Sequence, residues 1–131
     1  MTLLRTLATA ALTLAASLAQ ALTLAPYSAD ALAKAQQAGE PVALHFHATW
    51  CTTCKAQQRA FEQMKAGNDL PLTILVADYD TERELMRQLH VRERSTLIVY
   101  RGATERSRLT GDTDPAKLKA ALLTALAPAA K

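Results

Sequence analysis

Cys51 and Cys54 are the only two cysteines of the chain, and they stand in the segment Trp50-Cys51-Thr52-Thr53-Cys54-Lys55. A covalent staple is one use for such a pair. Closing a four-residue loop, however, removes only about 2 kcal/mol of unfolded-state entropy, against about 4.7 kcal/mol for a hundred-residue loop. The spacing suits redox exchange better. Cys51 is placed at the start of a helix, where unpaired N–H groups and the macrodipole favour an anion and lower a thiol pKa. Moving a thiol from about 8.5 to about 7 raises its thiolate fraction at neutral pH about fifteenfold. The lower basicity costs about fivefold in nucleophilicity, so the net gain in attack is a few-fold. Cys51 also becomes a better leaving group. Cys54, one turn further in, is expected to be the buried resolving thiol. A second chemistry uses the same residue types. Cys51, Cys54, His45 and His47 offer two thiolates and two imidazoles, the ligand set of a zinc or copper module. Against it, a C-x-x-C zinc site normally draws its other ligands from a second close pair, and His90 falls near a helix end. No metal and no cofactor is expected.

The pattern around the pair supplies elements to hold it. Ser28 to Gln37 reads as a helix, ended by Gly39 and Pro41. Val42–His47 and Leu72–Ala77 are short apolar runs of buried strands. Between them a helix runs from Trp50 and Cys51 to about Ala66, followed by the loop residues Gly67-Asn68-Asp69. Asp80 or Thr81 is expected to cap a third helix, since Thr81 and Glu84 have capping-box spacing. Leu85, Met86 and Leu89 give that helix an apolar face. Thr96–Tyr100 reads as a strand, Gly102 as a turn, and Glu105–Leu109 as a weaker edge strand broken by Gly111. Asp114 and Pro115 open the last helix, with Leu118, Leu122, Leu123 and Leu126 as its core face. Strands alternating with helices predict an α/β sheet covered on both faces, its last two strands antiparallel. Residues 22–131 are read as one domain.

The segment from Pro41 to Lys55, with its Trp-Cys-x-x-Cys-Lys motif after a buried strand, resembles the active-site strand and motif of the thioredoxin family. Val76–Asp80, Ser95–Tyr100 and Gly111 continue the resemblance, which covers residues 41–126. It implies a thioredoxin-like fold, a central mixed β-sheet with helices on both faces. It also implies protein thiols and disulfides as substrates. The Ala-rich first helix and an export signal make the chain similar to periplasmic thioredoxin-like proteins, among them the C-terminal domain of the DsbD reductant conduit. That likeness implies reduction rather than oxidation, and a membrane or periplasmic electron donor. Trp50, Thr52, Thr53, Lys55, His45, Ser95 and Thr96 are the supporting residues so implied.

Three positions depart from the family. A cis-proline usually precedes the residue at Thr96, and this chain has Ser95. A cis bond there costs about 2.5–4 kcal/mol, against about 0.5–1 kcal/mol before proline. Ser95 therefore keeps a strained cis bond or turns trans and reshapes the substrate groove. His45 stands where relatives often have a buried carboxylate that helps move the proton of the resolving thiol. A histidine near 6.5 can do that work; the other reading is a core histidine bonded to a backbone carbonyl. His47, on the same strand face, replaces an aromatic and is read as packing. Thr52 and Thr53 replace the dipeptide that tunes redox potential in relatives, and their hydroxyls are candidate donors to the thiolate.

Outside this region the sequence sets the compartment. Met1 to Arg5, the apolar run Leu7–Leu18 and Ala19-Gln20-Ala21 form the three parts of a signal peptide, cleaved after Ala21. The alternative is a retained anchor, since no charge appears from Thr6 to Ala29. Either way the domain is expected to be periplasmic or secreted, where disulfides are permitted. Half of the 131 residues are hydrophobic, which excludes intrinsic disorder. A net charge of +3 and no aromatic-interleaved basic patch argue against nucleic acid. Seven arginines lie between Arg83 and Arg108, read as a solvated and partly paired surface. Arg92 and Arg94 precede the strand facing the site and are candidates to steer an acidic partner. Nothing suggests more than a monomer.

Overall fold

The computed structural model describes residues 21–128. In chain order the elements are β1 (Thr23–Pro26), α1 (Ala29–Gln37), β2 (Pro41–His47), α2 (Thr52–Gly67), β3 (Thr73–Asp78), α3 (Arg83–Gln88), β4 (Thr96–Arg101), β5 (Thr104–Thr110) and α4 (Pro115–Leu123). The five strands make one mixed sheet in the order β1-β3-β2-β4-β5. β1 and β2 run parallel to β3, β4 runs antiparallel to β2, and β5 antiparallel to β4. The predicted fold class and the antiparallel last pair are both present.

Strand side chains alternate between the faces, which divides the core in two. Ala43, Ile74, Leu97 and Val99 point toward Phe61 of α2 and Leu118 and Leu122 of α4. Val42, Leu44, Phe46, Leu75 and Ile98 meet Leu85 and Met86 of α3 and the partly buried Leu32 of α1. Local chemistry sets most helix ends. Ser28 Oγ accepts from Ala31 N at 3.1 Å and opens α1. Asn68, in the left-handed conformation at φ 54°, closes α2. Asp114 Oδ1 accepts from Ala116 N at 2.9 Å, with Pro115 at the first position of α4.

Four expectations are corrected. β1 had no place in the sequence reading, because its four residues are continuous with the apolar stretch before them. The strand exists through its ladder with β3. The capping box at Thr81 and Glu84 does not form. Glu82 precedes α3 without a side-chain cap, and the turn before it is closed by Glu82 N donating to Asp78 O at 2.9 Å. Asp80 is not a cap either, since its carboxylate is taken by Trp50. Leu123 is not in the core: it is 43% exposed, one position off the stripe formed by Leu118, Ala121 and Leu122.

Leu22, just before β1, is fully buried in the cluster shared by α2 and α4. Leu22→Ala is expected to cost about 2–5 kcal/mol in urea denaturation, with an unchanged m-value. A cost within about 0.5 kcal/mol, the range of a surface change, would mean that β1 does not contribute to the folded core.

Candidate active site

The site forms where β2 ends. After His47 the chain turns through Ala48 and Thr49, with Cys51 N donating to Ala48 O at 3.1 Å. Cys51 is the N-cap of α2, and its Sγ accepts from Cys54 N at 3.1 Å. The sulfur thus occupies a position that Ser or Asp takes in ordinary caps, facing the orphan donors of a helix start. Cys51 and Cys54 are joined as a disulfide, with Cα atoms 5.2 Å apart. Cys51 is 3% exposed and Cys54 fully buried, the order expected of an attacking and a resolving thiol.

The register of β2 with β4 delivers the third component. His45 faces Leu97 across the antiparallel ladder, and Ser95 N donates to Phe46 O at 3.0 Å one step beyond it. Every peptide bond among the described residues is trans, the one before Ser95 included. Ser95 accommodates its position through φ 63° instead, a left-handed conformation that costs a residue with a Cβ about 1–3 kcal/mol. Its hydroxyl lies 3.3 Å from Cys51 Sγ and 3.2 Å from Cys54 Sγ. Among the described residues no hydrogen bond joins Thr52 or Thr53 to a sulfur. Thr52 is exposed and Thr53 half-buried. Thr96 Oγ1 donates to Glu93 O at 2.7 Å and steadies the entry to β4.

A buried polar chain stands behind Ser95. Gln57 Nε2 donates to Ser95 O at 3.0 Å and to Asp112 O at 2.8 Å. Two carbonyls require the amine end there, so Gln57 Oε1 faces His45 Nε2 at 2.8 Å as an acceptor. His45 therefore carries its proton on Nε2, and its buried Nδ1 has no partner. The histidine is a core residue, but its partner is a side-chain amide and not the expected backbone carbonyl. Sequence reasoning missed Gln57. The available signal was a polar residue on the α2 face that also holds Cys54 and Phe61, at spacings of three and four. His47 stacks edge-on against His45, ring centroids 5.6 Å apart.

The rim is polar. Trp50 is 56% exposed, and its Nε1 donates to Asp80 Oδ2 at 2.8 Å. The Arg94 guanidinium lies 4.8 Å over the Trp50 ring, a cation–π contact. Lys55 is exposed, and so are Arg92 and Arg94. His90, exposed and at φ 56°, ends the α3 turn and has no part in the site. Among the described residues no three His, Cys, Asp or Glu side chains are grouped so that they could hold a metal ion. The arginine segment is partly paired: Arg87 with Glu84, and Arg108 with Glu105.

Burial drives the His45 pKa down to about 4, with the Gln57 bond opposing and His47 reinforcing the shift. His45 is neutral at neutral pH. Burial also lowers His47, opposed by Asp78 and reinforced by Lys55. An unfolded histidine binds its proton near 6.5, so between there and about 4 the unfolded chain holds more protons than the native one. The His45 contribution is full above 6.5 and is lost as pH falls to about 4, about 3 kcal/mol in all. His45→Phe is expected to flatten urea stability against pH across that window, leaving the smaller slope from His47. An unchanged slope would show that His45 is not buried as a neutral ring.

The thioredoxin family model matches residues 22–124. A thioredoxin of Mycobacterium bovis is 36% identical over 84 residues, which are 64% of this chain and 69% of that protein. A bifunctional thioredoxin reductase/thioredoxin of Mycobacterium leprae is 34% identical over 99 residues, 76% of this chain, which spans 20% of that longer relative. Among solved structures, Trxlp from Edwardsiella tarda is similar at a TM-score of 0.71 and 35% identity, covering 76% of this chain and 98% of that one. The matched residues 22–124 include the strand, helix and cysteine pair from which the site is built, and the chain belongs to the thioredoxin family of disulfide oxidoreductases.

Proposed function

We propose that the protein is an exported thiol-disulfide oxidoreductase that reduces disulfides in other extracytoplasmic proteins. The observation that carries the redox reading is Cys51 Sγ at the start of α2, accepting from Cys54 N and bonded to Cys54. Export rests on the leader pattern, in which residues 1–20 lie outside the described part of the chain. The direction of electron flow rests on the likeness to periplasmic reductants.

The exchange proceeds in two displacements. The Cys51 thiolate attacks one sulfur of a substrate disulfide, forming a mixed disulfide and releasing a substrate thiolate that takes up a proton. Cys54 then loses its proton, and its thiolate attacks Cys51 Sγ. The Cys51–Cys54 bond forms, the mixed disulfide breaks, and the second substrate thiol leaves. Two electrons pass to the substrate, and the dithiol is oxidised. A membrane or periplasmic donor restores it. The protein acts as a monomer in this scheme, with Trp50 and the exposed rim meeting the substrate.

Equilibration with glutathione is expected to give a reduction potential near or below about −230 mV; a value above about −150 mV would make the protein a disulfide donor instead. Cys51→Ser should abolish reduction of a protein disulfide, whereas Cys54→Ser should accumulate the mixed disulfide at Cys51. Equal trapping by both variants would reverse the two roles. N-terminal sequencing of the exported protein should begin at Leu22. A chain that still carries residues 1–21 would identify a retained anchor.

A further inference from the structure

We propose that the Ser95 hydroxyl is a catalytic hydrogen-bond donor that serves both cysteines in turn, following the negative charge from Cys51 to Cys54. The proposal deepens the oxidoreductase reading and rests on it. In the disulfide-bonded pair Ser95 Oγ lies 3.3 Å from Cys51 Sγ and 3.2 Å from Cys54 Sγ, so the hydroxyl borders both sulfurs and rotation of its O–H bond turns the proton from one toward the other. Ser95 is 3% exposed, so no bulk water competes for the sulfurs from that side.

The two cysteines need this donor unequally. Cys51 Sγ already accepts from Cys54 N. Cys54 Sγ is fully buried, and its other polar neighbour is Phe46 O at 3.8 Å, a carbonyl that repels an anion. A Cys54 thiolate formed during the second displacement therefore has Ser95 Oγ as its hydroxyl donor. The hydroxyl is held there against backbone strain. Ser95 N is bound to Phe46 O, and Ser95 O accepts from both Gly111 N and Gln57 Nε2. Gln57 is in turn fixed by Asp112 O and His45. β2, α2 and the turn at Gly111 thus clamp a residue at φ 63° whose side chain touches both sulfurs. Gln57 acts as a positioning residue.

The test compares the parent with Ser95→Ala and Ser95→Gly. Both remove the hydroxyl, but glycine relieves the positive φ, so loss of function through misfolding cannot explain a defect common to both. Two readouts are taken on reduced protein: the pH profile of Cys51 alkylation by iodoacetamide, and the release of thionitrobenzoate from Ellman's reagent. In the latter, Cys51 attack releases the first equivalent and Cys54 resolution the second. His45 and His47 on β2, Lys55 on α2, Asp78 and Asp80 at the end of β3, Asp112 before α4 and Arg94 before β4 are common to all three proteins. Their influence cancels in the comparison.

A hydrogen bond to a charged group is worth about tenfold in an equilibrium, so the alkylation midpoint should rise by about one pH unit in both variants. The second release should slow more than the first, and the reduction potential should move to more negative values because the reduced form loses a partner. Variants whose midpoint and second release match the parent within about twofold, where the bond predicts tenfold, would overturn the proposal. A parent that never releases the second equivalent would sink the oxidoreductase reading, and the alkylation midpoint alone would then decide whether the hydroxyl reaches Cys51.

Discussion

The site depends on one constraint: β2 lies inside the sheet and has to satisfy its backbone on both edges. Pairing with β3 on one side and β4 on the other fixes the strand from Pro41 to His47. At the end of the strand the chain turns out of the sheet through Ala48 and Thr49, and α2 begins at Thr52. The same ladder sets where β4 begins, and so brings Ser95 against a disulfide formed 41 residues earlier in the chain. Cys51 needs a helix start, Cys54 the turn after it, and Ser95 the neighbouring strand. A slip of one residue between β2 and β4 would turn the β4 side chains to the wrong face.

The interior of the site is polar, and its polar groups are paired almost to completion. Gln57 uses both amide hydrogens and its oxygen on Ser95, Asp112 and His45. Burying an amide without such partners costs several kcal/mol; with them, the same burial locks Ser95 in a conformation it would otherwise avoid. His45 is the far end of this chain, and its unpaired Nδ1 marks where satisfaction stops. Because burial holds its pKa at about 4, the ring is a weak base at neutral pH. The Ser95 hydroxyl, by contrast, lies 3.2 Å from Cys54 Sγ.

The exposed rim has a different character. Trp50 is anchored at one edge by Asp80 and covered on one face by Arg94, so an indole that is more than half exposed is still oriented. These contacts come from the turn after β3 and the turn before β4, and both turns border the cysteines. Ion pairs elsewhere on the surface, such as Arg108 with Glu105, are exposed and screened and contribute little to stability.

Periodicity and punctuation were enough to place all four helices, four of the five strands and the cysteine pair at a strand-to-helix junction. Those signals are local: apolar runs, Ser28 and Asp114 as caps, Gly and Pro as stops. β1 was not legible, because its four residues run on from an apolar stretch without a break and it is a strand only through its pairing with β3. The Thr81–Glu84 spacing described a cap that the turn from Asp78 displaced. At the site, the sequence by itself determined the reacting atoms and marked Ser95 as a departure, since residue type and spacing are enough to specify a dithiol at a helix start. Only the tertiary structure decided that Ser95 is trans with a positive φ, that its hydroxyl touches both sulfurs, and that Gln57 holds it there. Those contacts join residues 38 to 55 positions apart, and their geometry follows from strand register and helix packing, which no local pattern encodes.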